Sequence, residues 1–263
     1  ISNPVVQAIF TVFCKYCSEK VRISVVFIDQ LASEDFRSLR ADMAILFAVP
    51  EAAVRRRLAQ RIGRLVLLNA TADDCDYIAP DNRLAGRLIA EHLLECGHRS
   101  IGGITFDDRD PGSDFRQRLD GCAEVFDAAG AALHLTRISA LKFSDARFRR
   151  KLVEPMVKAG HSALIGGCDA IAAELCAAVF AAGKRVPADV SIAGFDDQFY
   201  TQFMLPALTT VKYPAEAIGI HLAAVTDELL AGRDGHIRKL VPPILVKRAS
   251  ILNLPHRTEG EEE

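Results

Sequence analysis

Short apolar runs recur along the chain at 22–29, 41–49, 64–69, 100–106, 133–139, 162–167 and 189–195, each nearly continuous rather than alternating. Runs of that kind mark strands covered on both faces. Between them the apolar positions change to a helical period. Leu84, Leu88, Ile89 and Leu93 follow Asp81, a candidate N-cap, and Ile171, Leu175 and Val179 follow Asp169. Ile218, Leu222, Val225 and Leu229 begin after Pro214 and end before Gly232. Each set puts its apolar side chains on one helix face, with start and stop residues at its ends. Strand and helix in alternation predict an α/β fold with parallel sheets. The units are too many for one compact open sheet, so two doubly wound, Rossmann-like lobes are expected.

A length of 263 residues allows two apolar cores, and no apolar run approaches the ~18 residues of a membrane helix. No membrane partner is expected. The formal net charge of −2 argues against a polyanion-binding chain. Arg55-Arg56-Arg57 and Arg149-Arg150-Lys151 therefore read as solvated helix faces. The chain opens on Ile1-Ser2-Asn3-Pro4 with neither Met nor a basic-then-apolar leader, which suggests a fragment without a signal peptide. Seven cysteines is an odd number, and they lie in apolar contexts. Buried thiols in a reducing cytoplasm fit them better than a disulfide framework. Cys14-Lys15-Tyr16-Cys17 has no second pair, and its two sulfurs share a helix face.

Enzyme signatures are absent: no GxGxxG after a strand, no GxxxxGK[ST], no GxSxG and no HExxH. Gly102-Gly103 and Gly166-Gly167 read as close backbone packing, and Asp107-Asp108-Arg109-Asp110 as a solvated acidic loop. No cofactor and no metal are expected, and the chain is not expected to be an enzyme. The chemistry is recognition without bond making. One stretch stands out. The buried run ending in Gly194-Phe195-Asp196-Asp197 sets two carboxylates at the mouth of a core strand. Open α/β sheets bind ligands outside the carboxyl ends of their strands. Asp29, Asn69 and Asp107-Asp108 also follow predicted strands, so a polar uncharged or cationic ligand is favoured.

Asp81-Asn82-x3-Gly86, then Glu91-His92-Leu93-Leu94-Glu95-Cys96-Gly97-His98-Arg99-Ser100-Ile101, resembles the lactose-repressor (LacI/GalR) family of transcription regulators. Arg116-x-Arg118-Leu119-Asp120-Gly121, Gly183-x-x-Val186-Pro187-x-Asp189-Val190-Ser191-Ile192 and Gly194-Phe195-Asp196-Asp197 continue that family's order. Pro206-Ala207-Leu208-Thr209-Thr210-Val211 and Val246-Lys247-Arg248-Ala249-Ser250 complete it. The resemblance covers about 78–250 strongly and the earlier part weakly. It implies a periplasmic-binding-protein-like fold of type I holding a small effector between two lobes. The first lobe would take 1–80 and 212–233, the second 81–211 and 234–255, with 256–263 a disordered tail. It also implies a homodimer, and operator DNA bound through a helix-turn-helix headpiece not found in this sequence.

Family contacts transfer one position at a time. Arg118 matches the arginine that reaches ligand hydroxyls or a carbonyl, and Asp196 the carboxylate that accepts from them; turn capping is the plainer role for either Asp196 or Asp197. Phe143 matches the aromatic lying against the ligand ring, or is a core phenylalanine. Asp114 stands where the family often has Ser or Thr, and Asp169 matches the Asp of an Asn-Asp pair or caps a helix. Cys168 replaces the usual Asn of that pair, and a thiol is a poor hydrogen-bonding group. Asn69 is a first-lobe candidate. The resemblance favours an effector-sensing regulator core for a sugar, polyol or purine-like molecule in the cytoplasm. A free-standing solute-binding protein is the alternative.

Overall fold

The computed structural model describes residues 4–19, 21–22, 40–47, 52–107, 112–139, 154–156, 158–232 and 236–255. The predicted strand at 22–29, Asp29, Phe143 and the tail from 256 lie outside them, apart from Arg22 itself. The chain divides into two compact units: Ile1–Asp81, Asp110–Asp114 and Pro214–Pro242 form the first, and Asn82–Arg109, Phe115–Tyr213 and Pro243–Glu263 the second.

In the first unit, β1 (Met43–Phe47), β2 (Arg64–Leu68), β3 (Asp76–Pro80) and β9 (Arg238–Val241) lie side by side in that order, all parallel. β2 buries Leu65, Val66, Leu67 and Leu68 in succession, as a strand covered on both faces must. Helices α1 (Pro4–Tyr16) and α6 (Ala215–Leu230) pack on one another, and α6 also packs on β3. Helix α2 (Ala52–Ala59) packs on β2. The expected solvated arginine face is only partly so. Arg55 is buried and donates from Nε to Asp74 at 2.9 Å, because α2 lays that side against the loop after β2. The lobe boundary is also corrected. Residues 236–242 belong to the first unit because β9 pairs with β3, whereas the motif-based division placed 234–255 in the second lobe.

The second unit has the strand order β10-β8-β7-β6-β4-β5, formed by β4 (Ser100–Phe106), β5 (Ala132–Ile138), β6 (Ala163–Gly166), β7 (Ser191–Asp196), β8 (Thr209–Lys212) and β10 (Ile244–Val246). All pairs are parallel except β10 with β8. Alternate residues feed two cores. Ala163, Ile165, Ala193 and Phe195 meet Ile89 and Leu93 of α3 (Asn82–Glu95) and Cys122 and Phe126 of α4 (Asp114–Ala128). Leu164 and Ile192 face Ile171, Leu175 and Val179 of α5 (Asp169–Ala181) on the other side. This is the doubly wound sheet that the apolar runs predict. No apolar run marked β3, β8, β9 or β10 as a strand. β9 in particular is mostly exposed and carries no apolar run.

Two glycines set the α3–α4 crossing. A Cβ on Gly86 would stand 1.9 Å from the Arg118 carbonyl oxygen, and one on Gly121 would stand 2.1 Å from that of Arg83. The helices therefore meet backbone to backbone. The Cys122 thiol donates to the Gly86 carbonyl at 3.3 Å, and Arg83 pairs with Glu124 across the crossing. Gly121→Ala must push the helices apart and is expected to lower stability by about 1–3 kcal/mol or more. Denaturant unfolding measures this; an unchanged midpoint would show that the crossing is looser than described.

Candidate functional site

In the second sheet the strand order reverses between the parallel neighbours β4 and β6, whose carboxyl ends form the switch point of a doubly wound fold. Arg118, from α4, reaches these ends. Its Nη2 donates to Asp196 Oδ1 at 2.8 Å, its Nη1 to the Gly167 carbonyl at 3.0 Å and its Nε to Asn82 Oδ1 at 3.1 Å. The guanidinium carbon lies 5.2 Å from the Phe195 ring centroid and 5.7 Å from that of Phe115. Aromatic faces attract a cation electrostatically, so the two rings add to the hold of the hydrogen bonds. The Arg118 side chain is 4% exposed and that of Asp196 18%.

The paired carboxylates of the β7 end thus have different partners. Asp197 Oδ1 accepts from Arg248 Nη2 at 2.6 Å, and Arg248 also donates to Thr201 Oγ1 and the Leu208 carbonyl. Asp197 is the structural member. Asp196 is the member turned to Arg118. Both carry positive φ, 109° and 53°, which a side-chain-bearing residue adopts at a cost unless its surroundings enforce it.

Asp169 helps to enforce it. Its carboxylate is fully buried, with Oδ1 accepting from the Thr210 hydroxyl at 2.7 Å and Oδ2 from the Gln198 backbone N–H at 2.7 Å. A Cβ on Gly194 would lie 2.4 Å from Asp169 Oδ1, so only glycine leaves room for this carboxylate above β7. Burial raises its pKa to about 7 against the two hydrogen bonds that lower it; nearby Asp196 also raises it and Arg118 lowers it. Cys168, at the N-cap of α5, packs against the apolar cluster of that helix. Burial first, and the Asp196 charge second, push its thiol up to about 11. It is a neutral thiol.

The proposed site residues therefore fall into two groups. Arg118, Asp196, Asp169 and Cys168 gather in the second unit, where Asp169 braces the turn and is closed to solvent. Asn69 and Asp114 meet in the first unit: Asn69 Nδ2 donates to Asp114 Oδ2 at 3.0 Å. Asn69 follows β2 at φ 63°, beside the Ala70–Ser113 bridge and the Thr71 N–H to Gly112 carbonyl bond. Sequence reasoning missed Asn82, Arg248, Thr210 and the two rings around Arg118. Asn82, Arg248, Thr210 and Phe195 do sit inside motifs it quoted; what it lacked was their partners. The second unit thus offers a part-exposed carboxylate beside a fixed cation, a pair suited to a hydroxyl, which both donates and accepts.

The Asp169 pKa sets a pH dependence. It lies above the ordinary value of 3.8, so the native state favours the protonated acid. The stabilisation it contributes is full below pH ~4 and is lost as pH rises toward 7. Relative to Asp169→Asn, which stays neutral, the wild type should lose up to roughly 4 kcal/mol over that interval. Unfolding of both proteins across it measures the difference, and parallel curves would contradict the assignment.

Residues 90–251 match the periplasmic binding protein-like domain family. The chain is 32% identical over 208 residues to an uncharacterized HTH-type transcriptional regulator in the aml 5' region of Streptomyces limosus, covering 74% of this chain and 56% of that protein. It is 30% identical over 203 residues to the HTH-type transcriptional repressor PurR of Pectobacterium carotovorum, covering 70% and 54%. The chain thus spans little more than half the length of these relatives. Among solved structures, a LacI family transcriptional regulator from Enterococcus faecium with bound ribose has a TM-score of 0.80 at 20% identity, covering 97% of each chain. The transcription regulator CcpA of Lactococcus lactis also scores 0.80, at 19% identity, covering 95% of this chain and 96% of its own. At such identity these likenesses speak for the fold alone. The chain belongs to the periplasmic binding protein-like domain family, in the form carried by LacI/GalR-type regulators.

Proposed function

We propose that this chain is the effector-sensing part of a LacI/GalR-type transcription regulator, and that its second unit takes a polyhydroxylated, sugar-like solute at Asp196 and Arg118. The observation that carries the reading is the 2.8 Å Arg118–Asp196 pair at the carboxyl ends of the parallel strands. A ligand hydroxyl can enter it, donating to Asp196 and accepting from Arg118, so that ligand bonds replace an internal one. The curated relatives are HTH-type regulators, which favours a regulator over a free-standing solute-binding protein. Structures named for bound ribose and for cellobiose support a sugar, while the PurR relatives keep a purine-like effector in the test.

On this reading the whole regulator is cytoplasmic, holds operator DNA through a headpiece and transforms no substrate. An effector acts only through unequal affinity for two arrangements of the protein. No helix among the described residues is long and apolar enough to cross a membrane. A homodimer belongs to the same proposal. Phe199, Phe203 and Leu205 are 77, 65 and 99% exposed within one short stretch of the second unit, an apolar patch of the kind that partners cover.

Thermal unfolding with D-ribose, cellobiose and hypoxanthine tests the effector. A true ligand at about 100 times its Kd adds ~2.7 kcal/mol, a shift of several degrees. Asp196→Asn should weaken that ligand by roughly tenfold or more, the loss of a charge-assisted bond. A ligand bound equally well by Asp196→Asn would remove Asp196 from the site. Sedimentation at micromolar concentration should show a dimer, and a monomer would overturn that part of the proposal.

A further inference from the structure

We infer that Asn82 is a positioning residue for ligand binding: its side-chain oxygen fixes the Arg118 fork while Asp196 turns from the arginine to the ligand. The inference deepens the proposal above, since it takes Arg118 to be a ligand contact.

Asn82 opens α3 and is 1% exposed, so it cannot touch a solute itself. Its Oδ1 accepts from Arg118 Nε at 3.1 Å. Its Nδ2 is buried and, among the described residues, meets no hydrogen-bond partner. A buried amide donor left unmet lowers stability, and an apolar side chain of like shape would remove donor and acceptor together at little loss. Leucine would serve packing at least as well as asparagine. What leucine lacks is an acceptor for Nε.

That acceptor matters because of where the other two lie. Nη2 is held by Asp196, the group a ligand must engage, and Nη1 by the Gly167 carbonyl. Of these three bonds, once Asp196 shares its carboxylate with a ligand, the one at Nη1 holds the planar group at a single point. The Asn82 bond at the root of the fork supplies the second point. The backbone contacts at Gly86 and Gly121 bring α3 close enough to α4 for so short a side chain to span the distance. The Phe115 and Phe195 rings, with centroids 5.7 and 5.2 Å from the guanidinium carbon, crowd the same group.

The test follows the Arg118 Nε–H signal by NMR in the full chain labelled with nitrogen-15 arginine, the signal being identified by its loss in Arg118→Lys. In Asn82→Leu its exchange with water should accelerate by roughly tenfold or more, the equivalent of one lost hydrogen bond, while the melting temperature holds or rises. Asn82→Asp keeps an acceptor and should restore slow exchange. Exchange unchanged in Asn82→Leu, with or without a fall in melting temperature, would overturn the inference. If Asn82→Leu does not fold, Asn82→Asp decides: slow exchange supports the inference and fast exchange overturns it. A second arm measures D-ribose affinity, expected to fall in Asn82→Leu and recover in Asn82→Asp. If the wild type fails to bind D-ribose, that bears on the functional proposal, and the exchange rates still decide the role of Asn82.

Discussion

A guanidinium taken out of water must be met by acceptors on its edges, and much of the second unit is arranged around that need at Arg118. Transfer of a charge into the interior costs several kcal/mol, and breaking a buried pair by removing one partner costs about 3–5 kcal/mol. Three acceptors come from three places: Asn82 on α3, Gly167 after β6 and Asp196 at the end of β7. The Phe115 and Phe195 rings lie close beside it. Arg118 is thus both a structural tie and the most concentrated donor group of the site, and truncating it to alanine would remove both roles at once. Asp196→Asn, which keeps the shape, separates them better.

Placing Asp196 is the work of its neighbours. The β7 end turns through two residues at positive φ, an arrangement held by bonds from outside the turn. Arg248 takes Asp197 from the C-terminal segment, and Asp169 takes Gln198 and Thr210 from beneath. With those fixed, Asp196 is left to face Arg118. The doubly wound order of the sheet puts this turn at the end of the strands, where loops can vary without disturbing the two cores.

Much of this architecture could be read in the residues. The unbroken apolar runs gave strands buried on both faces, and the helical stripes gave α3, α5 and α6 near their observed ends. β3, β8, β9 and β10 escaped because each is only three to five residues long, too short for a clear apolar run; β9 is known by its pairing with β3. That pairing also explains the misplaced lobe boundary. For the site, the motifs named Arg118, Asp196, Asp169 and Cys168 but not their relations. Nothing in the spacing says that Asp169 faces inward, or that Arg118 and Asp196 bond to one another. Long-range hydrogen bonds of this kind, between positions 78 apart in one case and 36 in another, leave no periodic signal.

A crystal structure with a bound sugar tests the central claim most directly. The account predicts a ligand oxygen within about 3.2 Å of both the Arg118 guanidinium and an Asp196 carboxylate oxygen, with the direct pair lengthened. A bound sugar that leaves the 2.8 Å Arg118–Asp196 pair intact and touches neither residue would contradict it.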